Sequence, residues 1–309
     1  MRRPEETASI LSDEDISFAF ELFVNRLPTS EELAQIRPTA VSIKRLSNQF
    51  LRSQEFGRRW EKHRATLASN FPPALVLLHI PKAAGTSVRS ILEKSFGYVD
   101  TLALDPAAVP DFANRPTVER RKLRFIHGHL VYGLDAFLPQ GCIYITVLRR
   151  PEERLFSFFK YLLRTPENRM YPILKSAAMS FGDFLEYANS DMGLFVEVNN
   201  GQVRRLSGRM SGGGIGQEHA VFQSAVKNAF ASNMIVGLSE NLDLFLQDLF
   251  NRKLISSIKN EYINVAPKSQ SFNDAILELT VGQAALLAEY THWDNLLYSM
   301  CESYILGEN

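Results

Sequence analysis

Three short stretches of this 309-residue chain hold residue types that could do chemistry together. The first is Ile80-Pro81-Lys82-Ala83-Ala84-Gly85-Thr86-Ser87, where a lysine and two hydroxyls flank small residues. Small residues let backbone N–H groups approach an anion, a lysine adds a mobile cation, and hydroxyls such as those of Thr86 and Ser87 cap a helix or bond a phosphate oxygen. The second is Arg149 with Ser157, seven intervening residues apart, a guanidinium and a hydroxyl suited to a terminal phosphate monoester. The third is His127-Gly128-His129, two imidazoles able to take a proton near neutral pH. Plainer readings exist for each. Lys82 can be a surface lysine after an ordinary turn, Arg149 can pair with Glu152 or Glu153, Ser157 can be a packing residue, and a strand histidine can be a satisfied core residue.

The surrounding pattern predicts the elements that position these groups. Leu75 to Ile80 reads as a buried strand, and Val88, Ile91, Leu92 and Phe96 recur at helical spacing after the loop. A strand turning into a helix brings free N–H groups and the positive end of a helix dipole to one point, which is an anion site. Leu123 to Leu130 reads as a second strand and Cys142 to Leu148 as a third. Pro151 opens the next helix, whose apolar face carries Leu155, Phe156, Phe158, Phe159, Leu162 and Leu163. Phe181 to Tyr187 reads as a helix, Met234 to Leu238 as a fourth strand, Glu240 to Phe250 as a helix, and Asp274 to Ile305 as mostly helical. The polar stretch from Asp100 to Arg121 reads as a loop with a short helix, and Gly212-Gly213-Gly214 as a loop. Strands alternating with helices predict a doubly wound, three-layer α/β domain with a mainly parallel central sheet. In such a sheet ligands bind beyond the carboxyl ends of the strands, where Lys82, His127 to His129 and Arg149 all fall.

Residues 10 to 65 read differently, as a small helical unit. Ser12 or Asp13 can cap a helix carrying Ile16, Phe18, Phe20, Leu22, Phe23 and Val24, Ser30-Glu31-Glu32 starts a short one, and Val41 to Phe56 carries a third. Asn70-Phe71-Pro72-Pro73 marks the boundary, giving an accessory unit over 1–70 and a main domain over 71–309.

Lys plus Arg and Asp plus Glu number 34 each, so the net charge is near zero and any anion site must be local, which argues against a general nucleic-acid binder. Cys142 and Cys301 fit neither a metal-ligand spacing nor a disulfide framework and point to reduced thiols, with a single bridge between them as the alternative. The first 15 residues lack the apolar segment of a secretion signal, and no run reaches the ~20 apolar residues of a membrane helix. The expected setting is soluble and cytoplasmic.

Taken together, IPKAAGTS and TVLRRPEERLFSFF resemble the 3′-phosphoadenosine 5′-phosphosulfate (PAPS)-dependent sulfotransferases, in particular the carbohydrate branch that includes the heparan sulfate 2-O-sulfotransferases. The resemblance spans roughly Leu75 to the carboxyl terminus and implies a P-loop-like fold. It assigns Lys82, Ala83, Ala84, Gly85, Thr86 and Ser87 to the 5′-phosphosulfate and Arg149 with Ser157 to the 3′-phosphate, with Lys82 also catalytic. It places the general base in the HGH stretch, with His127 as first choice and His129 as second. Asn200, Gln202 and Arg204 resemble a later family segment, which assigns Arg204 to cofactor or acceptor binding, and Lys268 in Asn264 to Ser269 falls in a loop that closes over the nucleotide. A surface lysine is an equal reading of Lys268, and core packing an alternative for Tyr132 and Phe125 as lining residues. FELFVNRLPTSEEL is similar to helical modules that accompany bacterial sugar-modifying proteins, and a packing extension or dimer contact is the plainer reading of that unit.

The implied activity moves a sulfonate from PAPS to a hydroxyl, with a carbohydrate as the leading acceptor class, PAP as product and no metal requirement. Two other functions fit parts of the pattern. A nucleotide kinase would need ATP and magnesium, but Lys82 precedes Gly85 here, unlike the GxxxxGK[ST] order of nucleotide triphosphate loops. A catalytically silent glycan- or nucleotide-binding protein would keep the loops without turnover.

Overall fold

The structure, a computed structural model, describes residues 11–24, 26–40, 46, 49–50, 53–55, 71–96, 99–210, 217–258 and 271–307. Lys268 with its loop, Gly212 to Gly214 and most of the expected third amino-terminal helix lie outside the described residues. The chain divides into two compact units, Met1–Phe71 and Pro72–Asn309.

In the first unit the helix Asp13–Val24 is followed by Ser30–Ile36 and a 3₁₀ turn, Arg37–Thr39. Thr29 caps the second helix, accepting from the Glu32 N–H while the Glu32 carboxylate accepts from the Thr29 N–H, a reciprocal box whose loss costs about 1 kcal/mol. Ile16, Ala19, Phe20, Ala40, Leu46 and Phe50 bury against one another.

The second unit is built on a five-stranded sheet of order β2-β3-β1-β4-β5, with β1 Ala74–Leu78, β2 Thr101–Ala103, β3 Phe125–Gly128, β4 Cys142–Leu148 and β5 Met234–Leu238. All four pairings are parallel, as the expected α/β class requires. β1 is buried along its whole length, and its alternation sends side chains to two separate cores. Leu75 and Leu77 pack with Val88, Ile91 and Leu92 of the helix Gly85–Phe96, and with Leu242, Phe245 and Leu246 of the helix Leu242–Asn251. Val76 and Leu78 face Ile126, Tyr144, Val203, Ala225 and Leu297 on the other side. A third apolar cluster holds the helix Pro151–Leu162 against Phe181–Ala188 and the long carboxy-terminal helix Val281–Leu306 through Phe156, Phe159, Phe181, Phe184 and Tyr290.

Register fixes the height of the strand ends. Leu78 lies opposite Gly128 of β3 and Thr146 of β4, so the segments leaving β1, β3 and β4 emerge side by side. β1 is also where the strand order reverses, the position at which open parallel sheets form a crevice.

Three differences from the sequence expectation have local causes. β2 is a three-residue edge strand inside the stretch expected to be a loop, too short to show alternation. The helices Met192–Val198 and Gly201–Ser207 are one to two turns long, and the second is fully buried, so neither shows an amphipathic stripe. The carboxy-terminal helical run divides into Phe272–Leu277 and Val281–Leu306, the latter capped by Thr280. Cys142 and Cys301 are buried and are not joined in a disulfide, and no helix among the described residues is long and apolar enough to cross a membrane.

Candidate functional site

The segment Pro81-Lys82-Ala83-Ala84 connects β1 to the helix Gly85–Phe96 with two non-glycine residues in the left-handed region, Lys82 at φ 67° and Ala84 at φ 61°. Each such residue costs about 1–2 kcal/mol, and left-handed residues within a turn gather N–H groups into a concave anion nest. The helix starting at Gly85 adds the N–H groups of Gly85 and Thr86 and its positive dipole end, while the Ser87 N–H donates to the Ala84 carbonyl at 3.1 Å. Gly85 itself is required by its neighbour: a Cβ there would stand 2.2 Å from Cδ2 of His79, whose ring lies against the helix start.

A cleft of about 520 Å³ opens over this loop, a size that suits a nucleotide. Lys82, Ala84, Gly85, Thr86 and Ser87 line it from the loop, His79 and His129 from the ends of β1 and β3, and Arg149 from the end of β4. The helix Pro151–Leu162 contributes Glu153, Ser157 and Tyr161, a stripe of residues four apart that shares one helix face, together with Phe158. Its opposite face is the apolar one, carrying Leu155, Phe156, Phe159 and Leu162. Ser239 and Glu240 close the cleft beyond β5.

The cations in the cleft are held loosely. Arg149 Nη2 lies 3.3 Å from Glu153 Oε2 and Nη1 lies 3.3 Å from the Lys82 carbonyl oxygen, with nearly a third of the side chain exposed. The pairing with Glu153 that the sequence offered as the plainer alternative therefore exists, inside the cleft and not instead of it. Lys82 Nζ sits 4.7 Å above the Tyr161 ring, a cation–π contact. Burial, and then the positive charges of Arg164 and Arg149, push the Lys82 ammonium below its ordinary pKa. Cations that depress one another in this way are stabilised by a bound anion.

The two histidines of the HGH stretch have different surroundings. His127 is buried in β3, its Nε2 3.1 Å from Glu93 Oε1 on the helix Gly85–Phe96, its ring 5.3 Å from that of Phe125. Burial lowers its pKa, the Glu93 charge opposing the shift. Alternation along an extended chain would put both histidines on one face, but β3 ends at Gly128 and His129 turns into the cleft. His129 Nδ1 lies 2.8 Å from the His79 carbonyl oxygen. That acceptor calls for an N–H on Nδ1, which leaves Nε2 with the lone pair. The ring of His79 lies 4.6 Å from that of His129, and His79 is pushed down to about 3 by burial first, then by the charge that His129 carries when protonated and by Arg89.

The structure thus brings Lys82, Ala84, Gly85, Thr86, Ser87, His129, Arg149 and Ser157 together, while Ala83 is fully buried beneath the loop. Arg204 lies elsewhere: Nε donates to the Asn199 carbonyl at 2.8 Å and Nη2 to Asn199 Oδ1 at 3.2 Å, beside Trp293 and Val203. His127, too, is absent from the cleft wall. Phe125 is core, and the Tyr132 ring packs tilted against that of Tyr144 with centroids 4.6 Å apart. Among the residues the sequence left unassigned, His79 resembles a strand residue because five apolar neighbours precede it in the chain, and Tyr161 is marked only by its spacing of four from Ser157. No group of three or more His, Cys, Asp or Glu among the described residues is placed to hold a metal ion.

No protein-family model and no curated protein matches the chain. Among solved structures, a sulfotransferase from Alicyclobacillus acidocaldarius is similar with 16% identity and a TM-score of 0.39, over 73% of this chain and 96% of its own. The mouse sulfotransferase SULT7A1 complexed with PAP is similar with 15% identity and a TM-score of 0.42, over 78% of this chain and 94% of its own. Likenesses this distant assign no role to any residue of this chain.

Proposed function

We propose that the protein transfers a sulfonate group from PAPS to a hydroxyl, with a carbohydrate as the acceptor class. The observation that carries this reading is the meeting of two separate anion-suited sets in one cleft: the left-handed loop with Lys82, and Arg149 with Ser157 at the next strand–helix corner. A nucleotide phosphorylated at both its 5′ and 3′ positions needs two such sets, and the donors present fit it.

The bound nucleotide would supply an activated sulfonate whose sulfur–oxygen bond to the 5′-phosphate breaks as the acceptor oxygen attacks in line. Backbone N–H groups of Gly85 and Thr86, with the hydroxyls of Thr86 and Ser87, hold the 5′-phosphate. Lys82 neutralises the charge that develops on the leaving oxygen, the moment at which a positioned cation contributes most. Arg149 and Ser157 hold the 3′-phosphate. His129 takes the acceptor proton at Nε2, and its Nδ1–H on the His79 carbonyl keeps that tautomer and ring orientation. The cleft wall favours His129 over His127 as the base, and His127 with Glu93 ties the strand to the phosphate-loop helix.

Incubation with PAPS and a panel of oligosaccharides, with products followed by mass spectrometry, tests the reading. Addition of one sulfonate to a sugar is the expected outcome. Magnesium-dependent phosphate transfer from ATP, with no sulfonated product, would replace it with the kinase reading.

A further inference from the structure

Beyond the residues of the cleft wall, one buried side chain is bonded to the chain segment that carries Arg149. The sheet ladder of β4 ends at Leu148, opposite Leu238 of β5, so the peptide groups of Arg149 lie past the last strand pairing. Gln202 takes the place of a strand neighbour there. Its Oε1 accepts from the Arg149 N–H at 3.0 Å and its Nε2 donates to the Arg149 carbonyl at 3.0 Å. Both bonds go to one residue, which fixes the direction in which the Cα–Cβ bond of Arg149 leaves the backbone. Among the described residues the guanidinium at the far end makes two contacts, both 3.3 Å long, while the two bonds at its backbone are 3.0 Å, so its aim is set mainly from the backbone end.

Gln202 is itself immobile. It is 1% exposed and lies in the first turn of the helix Gly201–Ser207, where the Asp294 carboxylate accepts from the N–H groups of Gln202 at 3.2 Å and Val203 at 2.8 Å. Asn200, left-handed at φ 52°, precedes it and accepts on Oδ1 from the N–H groups of Trp293 and Asp294 at 2.8 and 3.0 Å. The carboxy-terminal helix thereby holds the clamp, and the clamp holds the arginine.

We infer that Gln202 is a positioning residue for nucleotide recognition, aligning Arg149 so that the cleft prefers a 3′-phosphorylated nucleotide. The inference rests on the proposed role of Arg149 and adds the residue through which that role is enforced. A glutamine does this where a carboxylate would not: Gln202→Glu keeps the shape and the acceptor but sets a negative oxygen against the Arg149 carbonyl.

The test is calorimetric binding of 3′-phosphoadenosine 5′-phosphate and of adenosine 5′-phosphate to the wild type, Gln202→Glu, Gln202→Leu, Arg149→Ala and the Arg149→Ala/Gln202→Leu pair, each checked for a native melting transition. The wild type should prefer the 3′-phosphorylated nucleotide by about tenfold or more, the scale of a hydrogen bond to a charged group. Each Gln202 variant that melts cooperatively should lose most of that preference while its affinity for adenosine 5′-phosphate stays within about twofold, and adding Gln202→Leu to Arg149→Ala should change the preference no further. Equal losses for both nucleotides, or an unchanged preference in Gln202→Glu, would overturn the inference. A wild type with no preference would overturn the role of Arg149 itself and, with it, the two-phosphate reading.

Discussion

Arg149 and Arg154 belong to one corner, the turn from β4 into the helix Pro151–Leu162, yet one side chain is 30% exposed and the other 1%. Arg149 faces the cleft with two long contacts. Arg154 donates from Nη2 to the Glu197 carbonyl at 3.0 Å and lies 3.8 Å from Asp294, with Nε and Nη1 buried and without a hydrogen-bond partner among the described residues. Arg205, also buried, pairs with Glu197. Burial pushes Asp294 up and Arg154 down, and since a guanidinium stays protonated in a protein the pair persists as charges that hold helices together. The histidines repeat the contrast: His127 is committed to Glu93, while His129 has one nitrogen fixed and one facing the cleft. Residue type alone does not make a site; an uncommitted donor or lone pair at the mouth of a cleft does.

Substitutions in the two regions should therefore separate rate from stability. Lys82→Ala should lower sulfonate transfer by about 10³-fold with the melting temperature little changed, because it removes a charge made useful in the transition state. A well-folded variant with normal turnover would remove Lys82 from the chemistry. Asp294→Ala should do the reverse, costing about 3–5 kcal/mol in urea unfolding by leaving Arg154 buried without its carboxylate and two helix N–H groups without an acceptor. An unaltered unfolding midpoint would show that Asp294 and Arg154 do not hold the helices together.

The histidine pair sharpens the same contrast at closer range. His129→Ala should reduce kcat by about 100-fold at unchanged nucleotide affinity, whereas His127→Ala should mainly lower stability. The opposite pattern would return the base to His127. A smaller effect concerns His79. The unfolded chain binds its proton near 6.5 and the native ring only near 3, so native stability falls as the pH drops from 6.5 toward 3, by up to about 1.4 kcal/mol per pH unit. His79→Phe should flatten that acid limb in urea titrations between pH 4 and 7, and an equal slope in both proteins would count against a neutral, half-buried His79.

Much of this was legible in the sequence where the cause is local. Cys142 to Leu148 and Met234 to Leu238 are strands with the expected bounds, since continuous apolar runs bounded by breakers leave little choice. Lys82, Arg149 and Ser157 were legible because each belongs to a spaced motif whose strand and helix follow in the same stretch of chain. The helix Gly201–Ser207 was not, since its amino-terminal acceptor is Asp294, 92 residues beyond Gln202, and its side chains are buried all round. Arg204 matches its motif by sequence but finds its partners on Asn199, outside the cleft. Choosing between His127 and His129 depends on where β3 stops, a boundary that sequence periodicity places only to within a few residues.

The central claim is that the loop at Lys82 and the corner at Arg149 are two halves of one nucleotide site. Thermal unfolding with saturating 3′-phosphoadenosine 5′-phosphate, in parallel with ATP plus magnesium, measures it most directly. Ligand at about 100 times its Kd adds about 2.7 kcal/mol to the native state, so the 3′-phosphorylated nucleotide should raise the Tm by about 5 °C or more and ATP by much less. An equal or larger shift with ATP, or none with 3′-phosphoadenosine 5′-phosphate, would contradict it.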